Sequence, residues 1–274
     1  MIFNGSNLLT KMYLFYSRKV FNHPMKLRFM HFLHRNLGNH IKFEGYGAVL
    51  QPAPADFITR KIIVNGCYEP LSLQLALDIL KEKKGAFVDI GANIGLYTAV
   101  VARNFPDIPV ISIEADETNF NMLVDNIRLN HTGNVTALNI AIGDSAKLVQ
   151  LEQAADNNSG TIRVSVDTKT EGRYVAMLDL ATVLGQVCHD HIRLMKMDIE
   201  GYEMQALKGM NWTRHKPENI LLEFSDYINR AGDSCGEMLN MLYEQGYEAC
   251  SVNGKPYITG SDLPESNLWL KLKT

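Results

Sequence analysis

The sequence predicts an α/β fold, a mostly parallel sheet with helices on both faces. Three observations predict it. From Ala86 onward, strand-like and helix-like stretches alternate. The run Phe87-Val88-Asp89-Ile90-Gly91-Ala92-Asn93-Ile94-Gly95 reads as a buried strand, a tight glycine turn and the start of a helix. Acids recur where strands end, at Asp89, Glu114, Asp198 and Glu223. In such sheets a ligand sits beyond the carboxyl ends of the strands.

The chain has 274 residues, 46% hydrophobic and 21% charged, an ordinary globular composition. This length suits one α/β domain (residues 66–274) with an N-terminal extension (1–65). Four scattered cysteines, with no C-x-x-C and no zinc spacing, read as reduced thiols and point to the cytoplasm. No apolar run is long enough for a membrane span or a secretion signal. The net charge of -3 is unevenly spread. Residues 1–43 hold seven Lys/Arg and no acid, so the remainder carries 20 basic and 30 acidic residues, about -10.

In chain order, residues 1–21 mix aromatic and basic side chains, and Asn22-His23-Pro24 is a break. Met25, Phe29, Phe32, Leu33 and Leu37 follow helical spacing. That helix either packs on the main domain or on a second copy, or lies on an acidic membrane surface; apolar stripes are usually core, which favours packing. Ile41–Phe43, Ala48–Leu50, Phe57–Thr59 and Ile62–Val64 read as short strands. Tyr68-Glu69-Pro70 opens a helix to about Lys83, with Pro70 in its first turn and Glu69 at its positive end. Strands follow near 86–90, 109–114, 134–141, 192–198 and 219–224, with helices near 94–104, 117–130, 201–208 and 234–245. Between them Lys147–Leu151 and Thr161–Val166 read as strands around a small-residue loop that covers cofactor or substrate. A strand begins at Gly246-Tyr247, and Asn267–Leu272 closes the sheet at its edge.

The glycine turn carries the first chemistry. Gly91 allows a ligand close to the backbone, and the following helix offers N–H groups at its start. Glu114, about 20 residues past Gly95, ends the next strand, where an acid suits the two hydroxyls of a ribose. A dinucleotide site would have a third glycine, but position 96 is Leu, and an Asp stands two residues before the turn. A carboxylate repels a phosphate and attracts the ammonium of a methionine tail, which favours S-adenosylmethionine over NAD. The bland alternative is an ordinary strand–turn–helix.

The second cluster is Lys196-Met197-Asp198-Ile199-Glu200-Gly201-Tyr202-Glu203. Lys196 and Asp198 share a strand face, and Asp198 joins the rim of Asp89 and Glu114. Glu203 has a structural excuse at a helix start, but three acids so close repel. A partner, whether Lys196, a substrate hydroxyl or a cation, explains them better. Asp144 either reaches an adenine amino group or caps a turn. Glu223 is a rim acid or a solvated charge.

With these motifs in hand, the segment from Phe87 to about Phe224 resembles the FkbM-type methyltransferases. The match rests on Asp89–Gly95, Glu114, Asn139–Asp144, Lys196–Glu203 with Leu207-Lys208-Gly209, and on Glu223 and Tyr68-Glu69-Pro70. Ala115-Asp116 stands where a Pro is common in the family. The resemblance implies a Rossmann-like, seven-stranded class I methyltransferase sheet and methyl transfer from S-adenosylmethionine to a hydroxyl of a sugar, glycan or secondary metabolite. It places Asp89, Gly91, Ala92, Asn93 and Gly95 at the methionine end, with Glu69 a candidate for its ammonium. Glu114 falls at the ribose, Asp144 near adenine, and Asp198 beside the sulfonium and the acceptor. Asp198 is the expected base or hydroxyl orienter, with Glu200 and Lys196 in support, and the spacing demands no metal. A nicotinamide oxidoreductase and a non-catalytic S-adenosylmethionine-binding protein are the alternatives. The acidic main domain argues against nucleic acid. Acceptor contacts are expected near 45–60, 153–175 and 225–235.

Overall fold

The computed structural model describes residues 3–19, 40–52, 57–153, 162–164, 173–224, 234–258 and 260–273, with isolated positions 28, 32 and 36. Its centre is a seven-stranded sheet. In spatial order the strands are β13 (Tyr247–Ser251), β14 (Asn267–Leu272), β12 (Asn219–Glu223), β11 (Ile192–Met197), β4 (Ala86–Ile90), β5 (Val110–Ile113) and β6 (Val135–Leu138). From β12 to β6 every pairing is parallel, and β14 runs antiparallel between β12 and β13. The sheet therefore ends on β13, and Asn267–Leu272 lies one strand inside that edge rather than at it. Strand order reverses beside β4, since β5 and β6 extend one way and β11 and β12 the other. That reversal opens a crevice above the carboxyl ends of β4 and β11.

β4 is buried at all five positions, which suits a central parallel strand with helices on both sides. Its residues alternate between two cores. Phe87 shares one core with Leu96, Tyr97 and Val100 of α4 (Leu96–Asn104) and with Phe3, Tyr13, Ile41 and Phe43 from the N-terminal segment. Val88 and Ile90 pack on the other face with α6 (Leu180–Val187), α7 (Glu203–Lys208) and α8 (Cys235–Glu244). α3 (Pro70–Glu82) and α5 (Glu117–Leu129) complete the helical layers. The helical extension precedes them as α1 (Leu8–Lys19).

Several elements differ from the sequence expectation. Phe57–Asn65 is a helix, α2, rather than two strands. Its buried residues Ile58, Thr59, Ile62 and Ile63 recur every four positions, a spacing that short apolar runs do not separate from strand. β2 (Phe43–Gly45) and β3 (Ala48–Leu50) are strands, as expected, and pair as an antiparallel hairpin with β1 (Asn4–Gly5) beside it. The third core strand stops at Leu138. Ala141–Gly143 forms β7 in a separate four-stranded sheet with β10 (Arg173–Asp179), β8 (Lys147–Gln153) and β9 (Ile162–Val164). The stretch from Pro24 to Leu37 lies outside the described residues except at 28, 32 and 36, as do 154–161 and 225–233. The four cysteines form no disulfide.

Candidate active site

β4 and β11 are neighbours in register, with Asp89 opposite Lys196. The next residues of each strand close the turn together. The Asp198 N–H donates to the Ile90 carbonyl at 3.0 Å. Gly91 sits at φ 78°, and a Cβ there would lie 1.8 Å from the Asp198 carbonyl oxygen, so only glycine fits. Gly95 caps α4 at φ 84° against Leu123, and so shapes the turn without lining the cavity.

The turn spends its donors internally. Gly91 and Ala92 N–H both donate to the Ile113 carbonyl, Asn93 N–H to Glu114 Oε2 at 2.8 Å, and Ile94 N–H to the Asn93 side chain. The expected N–H groups for an anionic ligand are therefore taken at residues 91–95. The cavity wall offers carboxylates instead: Asp89, Glu114, Asp198 and Glu200, beside one cation, Lys196. Such a wall suits a ligand with positive charge and disfavours a pyrophosphate.

Each acid is held differently. Asp89 is 1% exposed; its Oδ2 accepts the Thr98 hydroxyl at 2.7 Å, and Thr98 in turn meets Ser112. Its Oδ1 has no partner among the described residues. Burial raises the Asp89 proton affinity, and the Lys196 charge opposes that. Glu114 accepts from Asn93 N–H and from Asp116 N–H, one bond per oxygen, which leaves lone pairs for hydroxyls. Burial pushes its pKa up to about 7. Burial disfavours a charged Lys196, but Asp198, Glu69 and Asp89 around it raise its pKa on balance. Its ammonium meets Asp198 Oδ2 at 2.9 Å and lies 5.0 Å from the Tyr97 ring centre. Burial likewise opposes charge on Asp198, yet Lys196 holds it below the usual carboxylate range.

Behind this pair Glu69 accepts the Tyr97 hydroxyl at 2.9 Å. Of five described non-glycine residues with positive φ, three are Glu69, Asn93 and Glu200, all in or beside the cavity. Strained backbone concentrated in this way marks a functional constraint. Asp198, Glu200 and Glu223 bring carboxylate oxygens within 4.8 Å of one another. Burial and then the Asp198 and Glu200 charges push the Glu223 proton affinity well up. Three acids so placed are close enough to share a proton or a cation.

The sequence reading thus finds most of the wall but not all of it. Asp89, Gly91, Ala92, Asn93, Glu114, Lys196, Asp198 and Glu200 come together, and Glu223 joins the acid cluster. Asp144 does not: it is exposed and accepts from the Ser145 hydroxyl and the Lys147 ammonium. The second sheet supplies Ala141, Ile142, Leu151 and Val164 to the cavity instead. Tyr97 and Tyr68 line the cavity without being singled out from sequence, while Phe57, edge-on to Tyr68, falls in the 45–60 stretch expected to contact the acceptor. Tyr97 carries a legible signal, two residues past the last glycine of the turn, whereas Phe57 reaches the cavity only because its segment is helical.

A family model for the methyltransferase FkbM domain matches residues 89–249. Among curated proteins, Methyltransferase 1 of Beauveria bassiana (strain ARSEF 2860) is 24% identical over 207 residues, 67% of this chain and 79% of that protein. Methyltransferase sdnD of Sordaria araneosa is 24% identical over 196 residues, covering 57% and 69%. Among solved structures, M. jannaschii TYW2 in complex with AdoMet aligns at 12% identity and a TM-score of 0.42, covering 84% of this chain and 82% of that one.

Proposed function

The chain belongs to the methyltransferase FkbM family, and from that premise we propose that it methylates a hydroxyl oxygen of a sugar, glycan or secondary metabolite. When bound, S-adenosylmethionine supplies a methyl carbon already activated by its sulfonium. The residues present fit that cofactor. The unpartnered buried Oδ1 of Asp89 in the cavity wall supports a place for the methionine ammonium, and the spare lone pairs of Glu114 suit ribose hydroxyls. The apolar strands of the second sheet offer a wall for the base.

The observation that carries the acceptor chemistry is the Lys196–Asp198 ion pair at the mouth of β11, its lysine buried and its carboxylate partly open to the cavity. Methyl transfer needs the acceptor oxygen in line with the S–CH3 bond and water kept out. Asp198, ionised by its lysine, accepts the hydroxyl hydrogen bond and aims the oxygen. With the cofactor bound and its methyl passing to the acceptor oxygen, the hydroxyl proton would go to a carboxylate of the Asp198, Glu200 and Glu223 group. Lys196 keeps Asp198 charged and fixes its rotamer. The test is the split between turnover and cofactor affinity. Asp198→Asn is expected to lower kcat by about a hundredfold or more while the Kd for S-adenosylmethionine stays within a few-fold. Equal losses in both would place Asp198 in cofactor binding.

A further inference from the structure

α1 has two unlike faces. Thr10, Tyr13 and Leu14 are buried against the N-terminal core. Leu8, Met12 and Phe15 are exposed by 74%, 63% and 66%. Their spacing places them on one stripe of the helix. Lys11 and Lys19 are exposed beside that stripe. Arg18 instead donates to the Ile62 and Ile63 carbonyls and ties α1 to α2. α2, which packs on α1, exposes Arg60, Lys61 and Val64. Phe32 is also exposed. Soluble surfaces seldom present so many large apolar side chains along one helix.

We propose that the exposed face of α1 lies on an anionic bilayer surface, with Leu8, Met12 and Phe15 in the headgroup layer and the surrounding lysines on lipid phosphates and carboxylates. Charge selects this occupant. Residues 1–43 carry seven basic residues and no acid, against about -10 on the rest of the chain, so the segment faces a negative partner while the acidic body is repelled from the same surface. A second copy is disfavoured, because a two-fold contact sets Lys11 and Lys19 against themselves. A bilayer demands an apolar stripe flanked by cations, and α1 has both. Among the described residues no helix is long and apolar enough to cross a membrane, so the contact is peripheral.

The test is co-sedimentation of the full chain with vesicles of phosphatidylcholine alone, or with about one third phosphatidylserine, at low and high salt. The protein should pellet with the anionic vesicles only, and high salt should release it. The Leu8→Ser/Met12→Ser/Phe15→Ser variant should bind at least about tenfold more weakly with unchanged cofactor affinity. Lys11→Gln/Lys19→Gln, which leaves the apolar stripe intact, should weaken binding too and serves if the triple variant does not fold. Wild-type protein left in the supernatant, equal binding to both vesicles, or wild-type binding by the folded variants would overturn the proposal. So would a dimer in sedimentation velocity that the triple substitution turns into monomer, since the face would then belong to a second copy.

Discussion

Glu203 and Asp198 stand five residues apart, and burial raises the proton affinity of both, but only Asp198 has a lysine that reverses the effect. Asp198 has Lys196 against it and stays charged. Glu203 is fully buried, and its Oε1 accepts the Ile199 N–H at 2.9 Å. Burial raises its pKa to about 7, from an ordinary value near 4.5. The folded protein therefore holds a proton there that the unfolded chain has released. That term stabilises fully below about pH 4.5 and is lost as pH rises to about 7, at up to about 1.4 kcal/mol per pH unit. Glu203→Gln keeps the acceptor oxygen and removes the titration. Its melting temperature should gain on wild type steadily between those pH values; a constant difference across the window would show that Glu203 does not titrate there. At this scale the acids were legible as types and spacings. Their protonation was not, because it depends on which lysine and which backbone N–H groups the fold brings to each.

The glycine turn is the element on which the site depends, and it was legible because each of its residues has one local reason to be there. Gly91 is required by a positive φ and by the approach of the neighbouring strand's Asp198 carbonyl. Gly91→Ala should cost about 2–3 kcal/mol or more of stability, read in urea unfolding, and should abolish cofactor binding in whatever protein folds. Near-wild-type stability would mean that the turn relaxes without penalty. The elements misread from sequence share a cause. Phe57–Asn65 and Ala141–Gly143 are short, and their partners are distant in the chain. α2 is set by packing on α1 and β7 by pairing with β10, both tertiary facts that a short apolar run does not encode.

At the scale of the whole molecule, the N-terminal segment is tied to the site. Asn126 accepts from Gln51 N–H and donates to the Ile94 carbonyl, joining the strand exit to the glycine turn. Asn130 makes a reciprocal pair with the Val49 backbone. The alternation of strand and helix made the sheet and its binding edge readable. The second sheet and Phe57 arrive from outside the repeating pattern, so sequence marked their stretches as a cover or acceptor wall without naming the side chains that line the cavity. We propose that the crevice above β4 and β11 holds S-adenosylmethionine through Asp89 and Glu114. This is tested most directly by calorimetric titration of the purified chain with S-adenosylmethionine, S-adenosylhomocysteine and NADH. Micromolar binding of the first two is expected, with none of NADH, and binding should be lost in folded Asp89→Ala and Glu114→Ala. Tighter binding of NADH, or affinities unchanged in both variants, would contradict it.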